Sequence, residues 1–383
     1  MLKDKPILNR YLPYLKLYGF FWIIAFLVYL KGWDAGWSFD AINYVYHAKN
    51  RTLSQMLNLH LDLSVRYVYH IVQYALYKVL GNHGIAWYLI KVSGHAFLTL
   101  NIFYFINTYL KIYSMKNART ISILTSLLFL VSPYNTEVVL NQVAVYYIYT
   151  MIFIFMSLNI LLNSLVSEFK KYNIIIFIVI YLLSVFSLEY AFIFPILATI
   201  IIFLYPKDNK RKYYFVFVVI PLLIITLYLL LNKIKLNTPI GHYGTETHFR
   251  FTIARITQIV VKNLFDFGAF IEYWNMDYIY KVYNVLYNQY NIVFILICIL
   301  VLIVAYFACI KKKKEAQLIL TVLVFFLIAT STTIGLQILS IIPIEDDRYN
   351  YLSAPFALLL ILLIANQLDR KSHVLYICGT IWV

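Results

Sequence analysis

Apolar residues along this chain fall in long runs, and polar residues gather in the gaps between them. Runs lie near 17–31, 87–110, 119–133, 139–165, 173–188, 190–205, 214–232, 291–310, 316–342 and 353–367. Most approach the ~20 residues that a helix needs to cross ~30 Å of hydrocarbon. An eleventh run starts at 374 and stops at Val383, too short to cross, which predicts a span cut off at the C-terminus. The pattern predicts an all-α polytopic membrane protein: about 10–11 transmembrane helices in a single domain over 1–383, and no soluble domain.

Two gaps are long, 31–86 and 233–290, and function is sought there, because loops on a rigid scaffold carry most binding chemistry. In the first, Val65, Val68, Tyr69, Val72, Leu76, Val79 and Leu80 recur at helical spacing, with Arg66, His70, Gln73 and Tyr77 on the opposite face. This predicts a helix lying on the membrane surface and ending at Gly81. In the second gap, Phe249, Ile253, Ile256, Val260 and Leu264 oppose Arg250, Gln258 and Lys262, which predicts another interfacial helix. Together the two loops are expected to roof a cavity.

Composition supports the membrane reading. The 383 residues are 62% hydrophobic and 13% charged, against roughly 45–50% and about 25% in a soluble domain. A net charge of +15 would suit nucleic acid, but the basic residues cluster in short connections, such as Lys207 to Lys212 and Lys311 to Lys314, where they act as orientation signals. The expected partners are therefore membrane lipids and no nucleic acid. The charge pattern predicts a cytoplasmic N-terminus and external loops at 31–86 and 233–290. The first apolar run has no small-residue cleavage site after it and reads as a retained span. Cys298, Cys309 and Cys378 all lie in apolar segments, which argues against a disulfide framework or a metal site. No metal or other cofactor is indicated, although Asp40 with a neighbouring acid has the chemistry to hold a divalent ion. The abundance of Ile, Asn, Lys and Tyr suits an AT-rich bacterial genome, hence the inner (cytoplasmic) membrane with its outer face towards periplasm or exterior.

The ionisable residues that interrupt the apolar pattern sit at the predicted external ends of spans. Asp34 and Asp40 lie in "WDAGWSFD", between tryptophans that read as interfacial anchors. Glu137 lies in "SPYNTEVV", Glu189 in "FSLEYAF", and Arg348 follows Glu345, Asp346 and Asp347 in "IPIEDDRYNYLS". Inside a span, His95 is expected to face the bundle interior.

The order of these features resembles the membrane part of the transmembrane, tetratricopeptide-bearing O-mannosyltransferases, and more broadly the GT-C glycosyltransferases that use polyprenyl-phosphate sugars. Asp40 stands where that family has the first acid of a W-D-D-like motif, with Ala41 at the second. Arg66 and His95 match an R-P-L-like segment and a following histidine. Pro133 and Glu137 match an H-P-x-x-x-E turn, Glu189 an S-K-E turn without its lysine, and Arg348 with Tyr351 a late E-R-x-x-Y-L-P turn. No tetratricopeptide repeat is present. The resemblance implies a GT-C-like fold and transfer of a sugar from a polyprenyl-phosphate donor to a glycan or protein acceptor on the extracytoplasmic face. Such a reaction needs a carboxylate as general base and cations at the departing phosphate. Asp40 is the candidate base and Arg348 the candidate phosphate ligand, with Asp34, Glu137, Glu189, His95 and Arg66 as further site residues.

Three other functions stay open on the sequence. A lipid-linked oligosaccharide transporter or flippase would place ionisable residues midway along its spans. An O-antigen polymerase or ligase would have a large, late, arginine-bearing external loop, as 233–290 is with Arg250 and Arg255. A non-enzymatic relative is suggested by Ala41. The topology has a direct test: membrane-impermeant thiol reagents should label cysteines placed at Asn82 and Tyr243 in intact cells but not at Lys313, and labelling of position 313 would overturn the orientation.

Overall fold

A computed structural model describes residues 7–34, 39–60, 65–167, 169–205, 210–239, 281, 313–332 and 350–368. Among these residues the secondary structure is helical, with no strand. The physical reason is the solvent: hydrocarbon offers no partner for a backbone N–H or C=O, so an apolar run bonds to itself as a helix.

The helices are α1 (Ile7–Val28), α2 (Phe39–Asn50), α3 (Leu53–His60), α4 (Tyr67–Leu80), α5 (Gly84–Ile112), α6 (Ala118–Val131) and α7 (Thr136–Leu140). They are followed by α8 (Val145–Val166), α9 (Lys171–Val185), α10 (Phe194–Leu204), α11 (Arg211–Leu236, with a π turn at Phe215–Val219), α12 (Lys313–Ser331) and α13 (Ala354–Leu368). By length and apolarity α5, α8, α11 and α12 qualify as membrane spans, and α6 with the bent piece after it makes a fifth. Shorter apolar helices accompany them in α1, α9, α10 and α13. The chain is a helical protein with several candidate membrane spans. The expected span at 291–310, residues 240–280 of the second long loop, Arg348 and the terminal run from 374 lie outside the described residues.

α5 is the spine of the bundle. It packs against α1, α6 and α8, while α8 packs on α9, and α13 lies against α6 and α12. Small hydroxyl residues at these contacts, Ser122, Thr125, Ser126, Thr150, Ser157 and Ser164, are all fully buried. Ser122 and Thr125 return their hydroxyls to the carbonyls of Ala118 and Ile121, so these two are satisfied within their own helix, and all six are small enough for the backbones to approach closely. Between the helices the core is aromatic, with Phe155 edge-on to Phe105 at 5.6 Å and stacked on Phe356 at 6.0 Å.

Two features depart from the sequence expectation. The connection between the expected spans 119–133 and 139–165 is not a plain loop: α6 stops at Val131, and the chain turns by 56° into the helical piece Pro133–Leu140, the geometry of a broken span or a re-entrant loop. Pro133 explains the break, since it disfavours the α conformation for Ser132, whose ψ is 127°, and it has no N–H for the α6 ladder. The second departure is the helix of the first loop. α4 exists, but it turns its polar face inward: His70, Gln73 and Tyr77 are buried, with Tyr69 of the apolar stripe beside them, while Val79 is 80% exposed. A soluble protein would do the reverse. Next to hydrocarbon the apolar face needs no cover, and the polar face needs partners.

Candidate functional site

The first loop is fastened to one end of the bundle by its backbone. α4 has no side-chain cap at its N-terminus. Instead the N–H groups of Val68 and Tyr69, which no intrahelical carbonyl can reach, both donate to the carbonyl of Phe186 just past α9, at 3.0 and 3.4 Å. Just upstream, Val65 N–H donates to Oδ1 of Asn232 in α11 at 3.2 Å. The loop thus takes its position from the ends of two bundle helices.

Between these anchors lies an ion pair. Arg66 donates from Nε to Glu189 Oε1 at 3.0 Å and from a terminal nitrogen to Oε2 at 2.6 Å, the two-pronged arrangement that suits a planar guanidinium. Tyr228 of α11 donates its hydroxyl to the same Oε1 at 2.7 Å. The Arg66 and Glu189 side chains are 10% and 21% exposed, so the pair is largely withdrawn from water. Glu189 opens the tight helical turn Glu189–Ile193 ahead of α10. Pro195, near the start of α10, sits where its missing N–H costs nothing.

Beside this pair α4 meets a tyrosine-rich surface. Tyr69 donates to the hydroxyl of Tyr44 in α2 at 2.8 Å, and its ring meets Tyr146 of α8 at 4.8 Å. Tyr44 also stacks on Tyr77 at 5.8 Å, and Gln73 Nε2 donates to the Val143 carbonyl at 3.3 Å. α2 is held alongside by Lys78, which donates to the Ala48 carbonyl at 3.0 Å.

His95 sits deeper in α5 and is fully buried. Its Nε2 lies 3.1 Å from the Leu130 carbonyl and its Nδ1 2.7 Å from the Tyr351 hydroxyl. A carbonyl can only accept, so Nε2 carries the proton and Nδ1 accepts from Tyr351, a tautomer assigned from the partners. Tyr29, at the end of α1, donates to the same Leu130 carbonyl at 3.1 Å and approaches that of Ser132 at 3.3 Å. These bonds tie α1, α5, the α6 break and the start of the last described helix together.

The candidates drawn from the sequence are therefore partly gathered. Arg66 and Glu189 meet directly, and His95 meets Tyr351, which follows Arg348 by three positions in the sequence. Glu137 stands half-buried in the first turn of α7. Asp34 ends a tight turn, Leu30–Asp34, and Asp40 begins α2, though their side chains lie outside the described residues. The Asp34 turn is pressed against α7: a Cβ on Gly32 would stand 2.0 Å from Cδ2 of Leu140. Among the described residues no three His, Cys, Asp or Glu gather closely enough to hold a metal ion. Tyr228 and Asn232 escaped the sequence reading because they look like ordinary members of an apolar run. Comparison with known protein families, curated proteins and solved structures finds no match in any of the three.

The ion pair makes a measurable claim. Removing one partner leaves the other charge stranded, at a cost of about 1.5–3 kcal/mol for a charged hydrogen bond. Arg66→Met or Glu189→Met alone should lower the melting temperature of the purified protein more than the double substitution does. Additive losses in the double variant would show that the two side chains do not act as a unit.

Proposed function

We propose that the chain is a membrane glycosyltransferase of GT-C-like architecture, with ten to eleven spans, that transfers a sugar from a polyprenyl-phosphate donor to a glycan or protein acceptor on the extracytoplasmic face of the inner membrane. The observation that carries this reading is the pairing of residues drawn from separate fragments of the sequence pattern. Arg66 and Glu189 are 123 residues apart and form a bidentate pair. His95 and Tyr351 are 256 apart and share a hydrogen bond. Asp34 and Glu137 belong to elements that pack on each other at Gly32 and Leu140. An external enzyme meets no nucleotide sugar, so a lipid-linked donor is the chemically reasonable source.

In this reading Asp40 takes the proton from the acceptor hydroxyl. The acceptor oxygen then bonds to the anomeric carbon as the bond from that carbon to the phosphate oxygen breaks, and the phosphate leaves with the electron pair. Arg348 stabilises the charge that develops on it. Arg66, already engaged by Glu189, holds the first loop in place rather than gripping phosphate. Asp34 and Glu137, on elements that adjoin each other, are further acids of the site in this reading.

The test uses purified protein, a panel of undecaprenyl-phosphate sugars, and a cell-envelope extract as acceptor, with release of undecaprenyl phosphate as the readout. Turnover is expected with at least one donor, and Asp40→Asn should reduce it by roughly 10²–10⁴-fold. Asp34→Asn, which removes the same charge six residues earlier, should reduce it far less. No release from any donor in the panel would remove the transferase reading, and unchanged turnover in Asp40→Asn would move the base elsewhere.

A further inference from the structure

α5 carries a second ionisable residue one turn from His95. Lys91 is only 2% exposed, although it lies within a helix long and apolar enough to cross the membrane. Its ammonium donates to the carbonyl of Leu140, the last residue of α7. An ammonium has three N–H groups, and no other acceptor and no carboxylate among the described residues takes one from Lys91. A buried charge that holds a single neutral acceptor is destabilising, and apolar replacement of buried charges is often neutral or favourable. Packing does not account for a lysine here.

The surroundings point to the missing partner. Leu140 lies against Gly32, so Lys91 stands beneath the junction of the Asp34 turn and α7, which bears Glu137. Ser132, where the span breaks, is fully buried, and its hydroxyl has no hydrogen-bond partner. Tyr29, Tyr88, Val92, Leu130 and Val139 form one packed cluster around this region. Spare N–H groups and a spare hydroxyl are donors, and among the described side chains no carboxylate bonds to them. The carbonyl that Lys91 now holds borders the irregular stretch 141–144, so an incoming oxyanion would exchange with that carbonyl without breaking a long helix.

We infer that Lys91, with Ser132 at the break after α6, is a phosphate-binding group at the base of the first-loop site. This rests on the transferase reading for its physiological ligand, the phosphate of the lipid donor, but its chemistry can be tested without any transfer. The experiment measures binding of undecaprenyl phosphate and of inorganic phosphate to detergent-purified wild type, Lys91→Met and Ser132→Ala, with the melting temperature recorded for each. Wild type should bind undecaprenyl phosphate. Lys91→Met should weaken that binding at least tenfold while leaving the melting temperature unchanged or higher, and Ser132→Ala should weaken it by less. Inorganic phosphate competing for the wild-type site would mark the phosphate group itself as the ligand, whereas binding of the lipid alone would mark a headgroup recognised together with its tail. Equal affinity in Lys91→Met, a lowered melting temperature, or failure of that variant to fold would overturn the inference, since each makes the lysine structural. A wild type that binds undecaprenyl phosphate but transfers no sugar would instead defeat the transferase reading and leave Lys91 standing.

Discussion

Hydrocarbon cannot accept a hydrogen bond, and most of this structure follows from that constraint. A polar group on a membrane helix must find its partner inside the protein, so the chain is assembled with its polar side chains inward. The hydroxyls of Ser122 and Thr125 in α6 fold back on their own carbonyls, His95 uses both ring nitrogens, and the polar face of α4 turns towards the bundle. The apolar side chains, which would hold a soluble protein together, are free to face outward, as Ile175, Phe203 and Ile234 do. Cohesion comes from close packing of aliphatic, aromatic and small residues between the helices and from a few well-paired polar contacts.

Those contacts are concentrated at one end. The Arg66–Glu189 pair, the double use of the Phe186 carbonyl and the bond from Val65 to Asn232 fix the first loop against α9 and α11. Tyr29 and Gly32 fix the start of the same loop against the break after α6. A loop of short helices is thereby held at both its start and its end, with the tyrosines of α2, α4 and α8 between. This is the kind of rigid support that a reactive constellation requires, because small displacements of catalytic groups cost large factors in rate.

Much of this was legible in the sequence because apolar periodicity reports what faces hydrocarbon. Most of the expected spans within the described residues coincide with helices, and the stripe from Val65 to Leu80 correctly marks α4. Periodicity is blind to which face is covered by protein, so the inward turn of Gln73 and Tyr77 was not readable from spacing alone. The break at Ser132 was half-legible: Pro133 signalled an end to α6, but a further helical turn before α8 depends on tertiary contacts such as Leu140 with Lys91. That lysine was passed over in the sequence reading, although an ionisable residue inside a span is a signal in its own right.

One feature bears on how such a protein can change over generations. The atom that receives α4 is a main-chain carbonyl, and every residue type at position 186 would supply it. The docking of the first loop is thus written into the backbone path, and the Phe186 ring only adds to it, 6.1 Å from Tyr67 and 5.5 Å from Tyr228. Lineages can drift along the outer face of α4 without losing that main-chain hold. A protein fastened in this way can keep its architecture while its sequence diverges from that of its relatives.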